Sequence, residues 1–326
     1  MADGERVVRR HTGRTIGCWE RKVSEYLAFR RDLGFALQSS GYELRLFARH
    51  LDAIGHREPL TADMAIDWAR RGRRARREYG AARLVAIRGF AKYLAGTDPR
   101  HEVPAAGALG RAYRRGHPHI YSSAEVIALL NATMAIKPAY ALPRHTFRVF
   151  FGLLAATGLR CGEALALRRD DVDLVRGRLT IICGKPGRDR IVPMHDSVVR
   201  ELKAYATRRD HLFARGLKSD AFFVSRRATR LKYQSVTVSF RRLRRQVGWH
   251  TRPLPRVHDL RHTFAVRVLL RWCAAGEDID KKILALTTYL GHVNVTSTYW
   301  YFSAVPELMA MAGRRFERFA RLGAAP

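Results

Sequence analysis

Between residues 16 and 97 apolar positions recur at three- and four-residue steps, the spacing of helices that each bury one face. Trp19, Val23, Tyr26, Leu27 and Phe29 trace a first helix, interrupted at Gly34. Tyr42, Leu44, Leu46, Phe47, Leu51 and Ile54 trace a second that ends at Gly55. Thr61 stands in the capping position ahead of a third helix through Met64, Ile66 and Trp68. Leu84, Ile87, Phe90 and Leu94 mark a fourth, after Gly80. Four helices with short joints and no strand pattern predict a small bundle.

From Asp98 to His119 the periodicity is lost. Pro99, Pro104, Pro118, several glycines and the basic residues Arg111, Arg114 and Arg115 read as a linker over 98–120. His117 and His119, on either side of Pro118, read as linker residues rather than as metal ligands. A second domain, 121–326, opens with Ser122 and Glu125 spaced as a capping box, and helical spacing runs on to about Arg169. The period then changes. Residues 178–183 and 190–194 are rich in β-branched side chains and flank a turn at 184–187, which predicts a hairpin, and Ala221 to Val224 is a candidate third strand. Helical spacing returns at Val236. It includes an amphipathic C-terminal stretch with Leu308, Met309, Met311, Ala312, Phe316 and Phe319 on its apolar side. The expected class is mainly α with a small antiparallel β-sheet: an extension over 1–15, a helical domain over 16–97, the linker and the larger domain.

Composition narrows the function. Sixty Lys and Arg against 29 Asp and Glu leave a formal charge of +31, which repels itself in a compact chain and suits a polyanionic partner. Nucleic acid is the first such partner. A membrane is a poor second, because no apolar run approaches the roughly 18 residues of a spanning helix. The first residues lack the apolar stretch of a secretory signal, and Cys18, Cys161, Cys183 and Cys273 form no Cys-x-x-Cys pair. A reducing, cytoplasmic setting with inert buried thiols is the expectation. Residues 70–77 hold six arginines (Arg70, Arg71, Arg73, Arg74, Arg76, Arg77) without an acid, and 241–245 hold Arg241, Arg242, Arg244 and Arg245. Both runs read as phosphate contacts, which position a protein on DNA without reading sequence.

Phosphodiester cleavage without a metal needs a nucleophile, cations on the non-bridging oxygens and an acid for the leaving oxygen. Arg160 follows a glycine turn at the mouth of a helix, where its planar fork can grip two phosphate oxygens. Glu163, one turn on, can orient that arginine or a nearby histidine. His258 and Arg261 are spaced to share one helix face. Lys185 sits at the hairpin tip, from which an ammonium can reach a leaving oxygen. His292 follows Leu290-Gly291 and precedes Tyr301 by nine residues.

In these segments the chain resembles the tyrosine recombinases, the family of phage integrases and Xer-type resolvases. The motifs are Thr157-Gly-Leu-Arg160 with Glu163, Gly184-Lys185 with Arg190-Ile-Val-Pro193, His258-x-x-Arg261-His262-Thr263-Phe264-Ala265, and Leu290-Gly-His292 leading to Thr298-x-x-Tyr301. The motif resemblance covers about residues 121–303; over 16–97 it extends only to a helical core-binding architecture.

The resemblance implies that Tyr301 attacks the scissile phosphate to form a 3′-phosphotyrosine. Arg160 and Arg261 would clamp that phosphate, and Lys185 would protonate the 5′ leaving oxygen. His258 would accept a proton or bind phosphate, and His292 would donate a further hydrogen bond. It implies no cofactor, no metal and no ATP. The implied partner is double-stranded DNA, held by a C-shaped clamp of the two domains. A homo-tetramer on synapsed sites, with or without sister recombinases, and a nucleoid-associated location are implied as well. Ser303 stands where family members often carry histidine, and Tyr299 lies two residues from Tyr301, whose spacing from His292 fits better. Two rival functions stand beside this one: a type IB topoisomerase, with the same chemistry but no partner strand, and a non-catalytic architectural DNA-binding protein, against which the set of catalytic residues argues, since pure binding needs no Tyr301 or Lys185.

Charge makes a direct prediction. Replacing two arginines between Arg70 and Arg77 by alanine weakens DNA binding alike on all sequences. It also shallows the slope of log affinity against log salt by roughly 0.9 per lost phosphate contact. Affinities measured across a salt series check this, and an unchanged slope places the run in solvent.

Overall fold

The computed structural model describes residues 17–71, 77–110, 112, 116–137, 142–182, 189–214, 216, 219–304, 308–310 and 313. The chain divides into two compact units, Met1–Arg115 and Gly116–Pro326.

The first unit is built on α1 (Cys18–Asp32), α2 (Gln38–Ala53), α3 (Ala62–Arg70) and α4 (Arg77–Ala95). Its core is Trp19, Val23, Tyr26 and Leu27 against Leu44, Phe47, Leu51, Trp68, Leu84, Ile87, Phe90 and Leu94, all buried. Phe29, Tyr42 and Ile54 share the apolar spacing yet are exposed. Phe29 lies two residues past Leu27, and Tyr42 two before Leu44; each is about 200° round its helix from the buried neighbour. Ile54 caps the end of α2.

Thr61 caps α3 by accepting from Met64 N. The far end of α3 is closed by Arg83, whose Nη1 donates to the Trp68 and Ala69 oxygens at 3.0 and 3.3 Å. The buried Arg83 guanidinium also lies over the Trp68 ring, 3.4 Å from its centroid, and pairs with Glu43 at 3.1 Å. The cap of α1 comes from another helix: Asp52 of α2 accepts from Trp19 N and Glu20 N, both at 3.0 Å. Residues 101–104 pack onto this unit. His101 Nδ1 accepts from Leu60 N at 2.8 Å, Glu102 pairs with Leu60 and Ala62, and Arg88 donates to Pro104 O.

The second unit runs α5 (Ser123–Thr133), α6 (Leu142–Thr157), α7 (Cys161–Ala166), β1 (Val172–Asp173), β2 (Arg178–Ile181), β3 (Arg190–Pro193), α8 (Asp196–Leu212), α9 (Tyr233–Gln246), α10 (Asp259–Ala274), α11 (Ile279–Leu290) and α12 (Thr296–Ala304). Ser122 and Glu125 form the capping box. The sheet is antiparallel, in the order β1-β2-β3, with Leu179 opposite both Val172 and Val192. Its third strand is therefore 172–173. Ala221 to Val224 makes only isolated bridges, Ala221 to Arg168 and Val224 to Arg230. This apolar run is buried in the larger core without joining the sheet, and apolarity alone does not tell a strand from buried irregular chain.

α6 is the central strut, with Phe147, Phe150, Phe151, Leu153 and Leu154 buried. A smaller core joins α10, α11 and α12 around Val266, Leu269, Leu286, Leu290 and Tyr301, and Leu308 is buried in it. The rest of the amphipathic C-terminal stretch lies outside the described residues, apart from Met309, Ala310 and Gly313.

The borrowed cap of α1 gives a stability test. Asp52→Ala leaves two helix-end N–H groups without their carboxylate and lowers the stability of the first unit by about 1–2 kcal/mol. Urea unfolding followed by the fluorescence of Trp19 and Trp68 checks it; a change below a few tenths of a kcal/mol contradicts it.

Candidate active site

α11 stops at Leu290, where Gly291 adopts the left-handed conformation at φ 64° and ψ 41°. The turn sends Gly291 N–H and His292 N–H back to the Thr288 and Thr287 oxygens at 2.9 and 3.0 Å. That satisfies two of the carbonyls a helix end leaves open. The next three oxygens face guanidinium groups from three other elements. Arg190 Nε, at the start of β3, donates to Tyr289 O at 2.7 Å. Arg261 Nη2, on α10, donates to Leu290 O at 2.5 Å. Arg160 Nη2, at the mouth of α7, donates to Gly291 O at 2.7 Å. The negative end of a helix dipole thus receives the cations. A Cβ at position 291 would stand 2.8 Å from Arg190 Nη1 and 3.3 Å from Arg160 Nη1, so glycine serves both the turn and the close approach.

A second glycine sets the other wall. α6 ends at Thr157 and Gly158 turns with φ 64°. A Cβ there would meet the Phe264 ring at 2.5 Å. Phe264 also stacks on Tyr289, with centroids 5.5 Å apart, and three residues earlier on α10 Arg261 Nη1 donates to Gly158 O at 2.8 Å. Packing of Phe264 against Gly158 therefore fixes where Arg261 lies.

Glu163 is the counter-charge. Its Oε1 accepts from Arg160 Nη1 at 2.8 Å, and its Oε2 accepts from Arg160 N at 2.9 Å and Arg190 Nη2 at 2.8 Å. Burial alone would raise the carboxyl's pKa, but the hydrogen bonds and charges of Arg190 and Arg160 outweigh it and hold the group below its ordinary value. Arg261 is 2% exposed, and burial followed by the nearby Arg160 lowers its pKa to about 10, still protonated at neutral pH. Arg160 keeps 38% of its side chain exposed, open to an incoming anion. His258 leads into α10; burial first, then the charge of Arg261, keeps its imidazole pKa below the ordinary value.

Tyr301, on α12, is 1% exposed and lies within the field of Arg261. Its Oη is 3.0 Å from His262 Nδ1. Tyr299 is set differently. It is partly exposed, and its Oη donates to Asp280 Oδ1 at 2.7 Å, a bond that raises its pKa. Thr298, buried one turn before Tyr301, bonds to Thr287 Oγ1 at 2.9 Å and to His292 Nδ1 at 2.8 Å, which locks α12 to α11 and orients the His292 ring.

The structure thus brings Arg160, Glu163, His258, Arg261 and Tyr301 together, with His292 joined through Thr298. Lys185 lies outside the described residues. The site also holds Arg190, His262 and Thr298, which lie inside the motifs shared with the tyrosine recombinases but which the sequence reading does not single out as site residues. No local spacing marks a strand-opening arginine for burial, since its acceptors come from 99 residues away on α11 and 27 residues away at Glu163. Of the candidate DNA-contacting arginines, Arg70 and Arg71 are exposed, Arg70 pairing loosely with Asp67 at 3.8 Å. Arg73, Arg74, Arg76 and the side chain of Arg77 lie outside the described residues. Arg241, Arg242 and Arg245 are exposed on α9, whereas Arg244 is half-buried and donates to Pro255 O at 3.3 Å.

The charge balance predicts a pH-dependent variant. Glu163→Gln keeps an acceptor oxygen but removes the negative charge between two guanidinium groups, costing about 1–3 kcal/mol of stability at pH 7. Because the folded carboxyl titrates below its ordinary value of 4.5, its contribution is complete above that pH and disappears as pH falls through the lower folded value. Urea melts at pH 7 and in the acid range check it. A wild-type advantage that persists unchanged into acid contradicts it.

The model of the phage integrase family matches residues 123–307. An integrase/recombinase of Sinorhizobium fredii, y4rB, is 39% identical over 309 residues, spanning 93% of this chain and 98% of the relative. The tyrosine recombinase XerD of Mycobacterium tuberculosis is 31% identical over 222 residues, 68% of each chain. Among solved structures, the Tn1549 transposon integrase in complex with transposon right end DNA superposes with a TM-score of 0.66 at 17% identity, over 92% of this chain and 98% of that one, a likeness of fold. A family match over more than half of the sequence, with a relative of this identity along nearly all of it, shows that the chain belongs to the phage integrase family and is a tyrosine recombinase, an enzyme of DNA strand cleavage and rejoining.

Proposed function

We propose that this recombinase exchanges strands between duplexes at specific sites, with Tyr301 as nucleophile. The observation that carries the reading is the gathering of Arg160, Arg190 and Arg261 on three consecutive carbonyls where α11 ends, at Tyr289, Leu290 and the capping Gly291, with Tyr301 on the next helix within the field of Arg261. Cations held in place before substrate arrives stabilise the charge of a pentavalent phosphorane without reorganising in the transition state. Arg160, the partly exposed member, takes the non-bridging oxygens together with Arg261. Arg190 and Glu163 hold that pair in place. Lys185 protonates the 5′ oxygen as it leaves, and His292 donates to the phosphate. His258, neutral at pH 7 in this setting, is a phosphate ligand. The energy of the broken bond is kept in the 3′-phosphotyrosine, so rejoining needs no ATP.

The environments of the two tyrosines favour Tyr301 over Tyr299. A phenolate beside Arg261 is stabilised, whereas one beside the Asp280 carboxylate is opposed. Double-stranded DNA is the partner, in keeping with the Tn1549 integrase held on transposon-end DNA. Exchange between two duplexes breaks four strands. With one nucleophile per chain that calls for four protomers, with or without sister recombinases, acting in the cytoplasm on the nucleoid.

Covalent trapping tests this. On a nicked duplex selected from a randomised library by covalent capture with the wild-type chain, Tyr301→Phe forms no protein–DNA adduct while Tyr299→Phe retains it. The wild-type adduct also survives excess EDTA. An adduct in Tyr301→Phe, or EDTA-sensitive cleavage with DNA binding intact, overturns the reading. Recombinant products from plasmids carrying the selected site, and no relaxation of plasmids without it, separate strand exchange from a topoisomerase.

A further inference from the structure

The proton on Tyr301 has to leave before or as the phenol attacks, since an ordinary tyrosine ionises near pH 10. Tyr301 is 1% exposed, so direct loss to bulk water is blocked. Its Oη lies 3.0 Å from His262 Nδ1, inside the range for proton transfer. When the imidazole carries its proton on Nε2, the phenol donates to Nδ1.

We propose that His262 is the proton acceptor for the Tyr301 nucleophile and returns the proton when the strand is rejoined. The proposal rests on Tyr301 being the nucleophile. His262 follows the clamp residue Arg261 directly on α10, and three rings hold its own: His258 edge-on at 4.7 Å, Trp300 at 5.6 Å and Tyr301 at 5.5 Å. Such packing aims Nδ1 without a mobile side chain.

His258 is the competing base, and the geometry disfavours it. Its ring meets His262 rather than the phenol, and no hydrogen bond joins it to Tyr301 among the described residues. Burial and then Arg261 oppose its protonation, with Arg256 and Arg160 adding to that opposition over the single favourable charge of Asp259.

The step balances. The Oη proton moves to Nδ1, an Oη lone pair forms the bond to phosphorus, and the bond from phosphorus to the 5′ oxygen breaks, that oxygen taking a proton from the leaving-group acid. In rejoining, the 5′ hydroxyl attacks phosphorus and returns its proton to the leaving-group acid, the bond from phosphorus to Tyr301 Oη breaks, and imidazolium gives the phenol its proton back.

The test uses the full chain and the library-selected nicked duplex, with adduct formation followed under single-turnover conditions. Tyr301→Phe is the control for the underlying reading. If it still forms adduct, the nucleophile assignment falls and this proposal with it. If it does not, the histidine variants are decisive. His262→Gln keeps a hydrogen-bonding side chain that cannot take a proton. It is expected to form adduct at least about 100-fold more slowly at unchanged DNA affinity, as is His262→Ala. A 5′-bridging phosphorothiolate, whose thiolate leaves without an acid, is not expected to restore either variant. Added imidazole is expected to recover part of the rate in His262→Ala and none in Tyr301→Phe. Intact DNA affinity and rescue by imidazole together show a folded protein missing only a base. A His262→Gln rate within about threefold of wild type, rescue by the phosphorothiolate, or no response of His262→Ala to imidazole would each overturn the assignment.

Discussion

Three guanidinium groups cannot be held together in a folded protein unless something offsets their repulsion before any phosphate arrives. Here two devices do so. The end of α11 offers three consecutive carbonyl oxygens, one each to Arg190, Arg261 and Arg160. Glu163 supplies a full negative charge between Arg160 and Arg190. Remove the left-handed turn at Gly291 and the carbonyls splay. Remove Glu163 and the cations lose their counter-charge. The rest of the unit can be read as support for this cluster: α6 delivers Gly158, α10 carries Arg261 on a helix seated by Phe264, and Thr298 ties the helix of Tyr301 to α11.

Closing helix ends with arginine recurs across the molecule. Arg83 does it for α3, and Arg230 does it for α7 through the Leu165 and Ala166 oxygens at 2.9 and 2.8 Å. Arg209, buried, donates to Phe222 O at 2.8 Å. Part of the +31 charge is therefore spent inside the fold on carbonyls that would otherwise be unsatisfied. The exposed remainder, including Arg241, Arg242 and Arg245, is what an external polyanion would meet. The same residue type does both because its five donors can serve backbone oxygens on one side while others stay available for an anion.

Much of the architecture was legible in the sequence because long helical stripes report burial directly. The mainly helical class with a small antiparallel sheet, the Thr61 cap and the Ser122–Glu125 capping box all follow from local pattern. What local pattern could not show is dictated by distant partners. Ala221 to Val224 looks like a strand, yet the third strand is the two-residue Val172–Asp173, too short to carry a period. Arg190 looks like a solvated strand end until α11 and Glu163 are placed beside it. His262 looks like a spacer after Arg261 until α12 returns to put a phenol on it. Spacing from His292 already favours Tyr301 over Tyr299, and the structure adds a chemical reason, since one faces a carboxylate and the other an arginine and a histidine.

The measurement that bears most directly on the cluster's purpose is the chemical identity of the DNA linkage. The trapped wild-type complex can be digested with protease and nuclease and the remaining nucleotide located by fragmentation mass spectrometry. Catalysis by the clamp described here predicts a 3′-phosphonucleotide on the Tyr301 oxygen and on no other residue. A nucleotide on Tyr299, on a serine or on a histidine, or DNA cut without any covalent protein linkage, would contradict it.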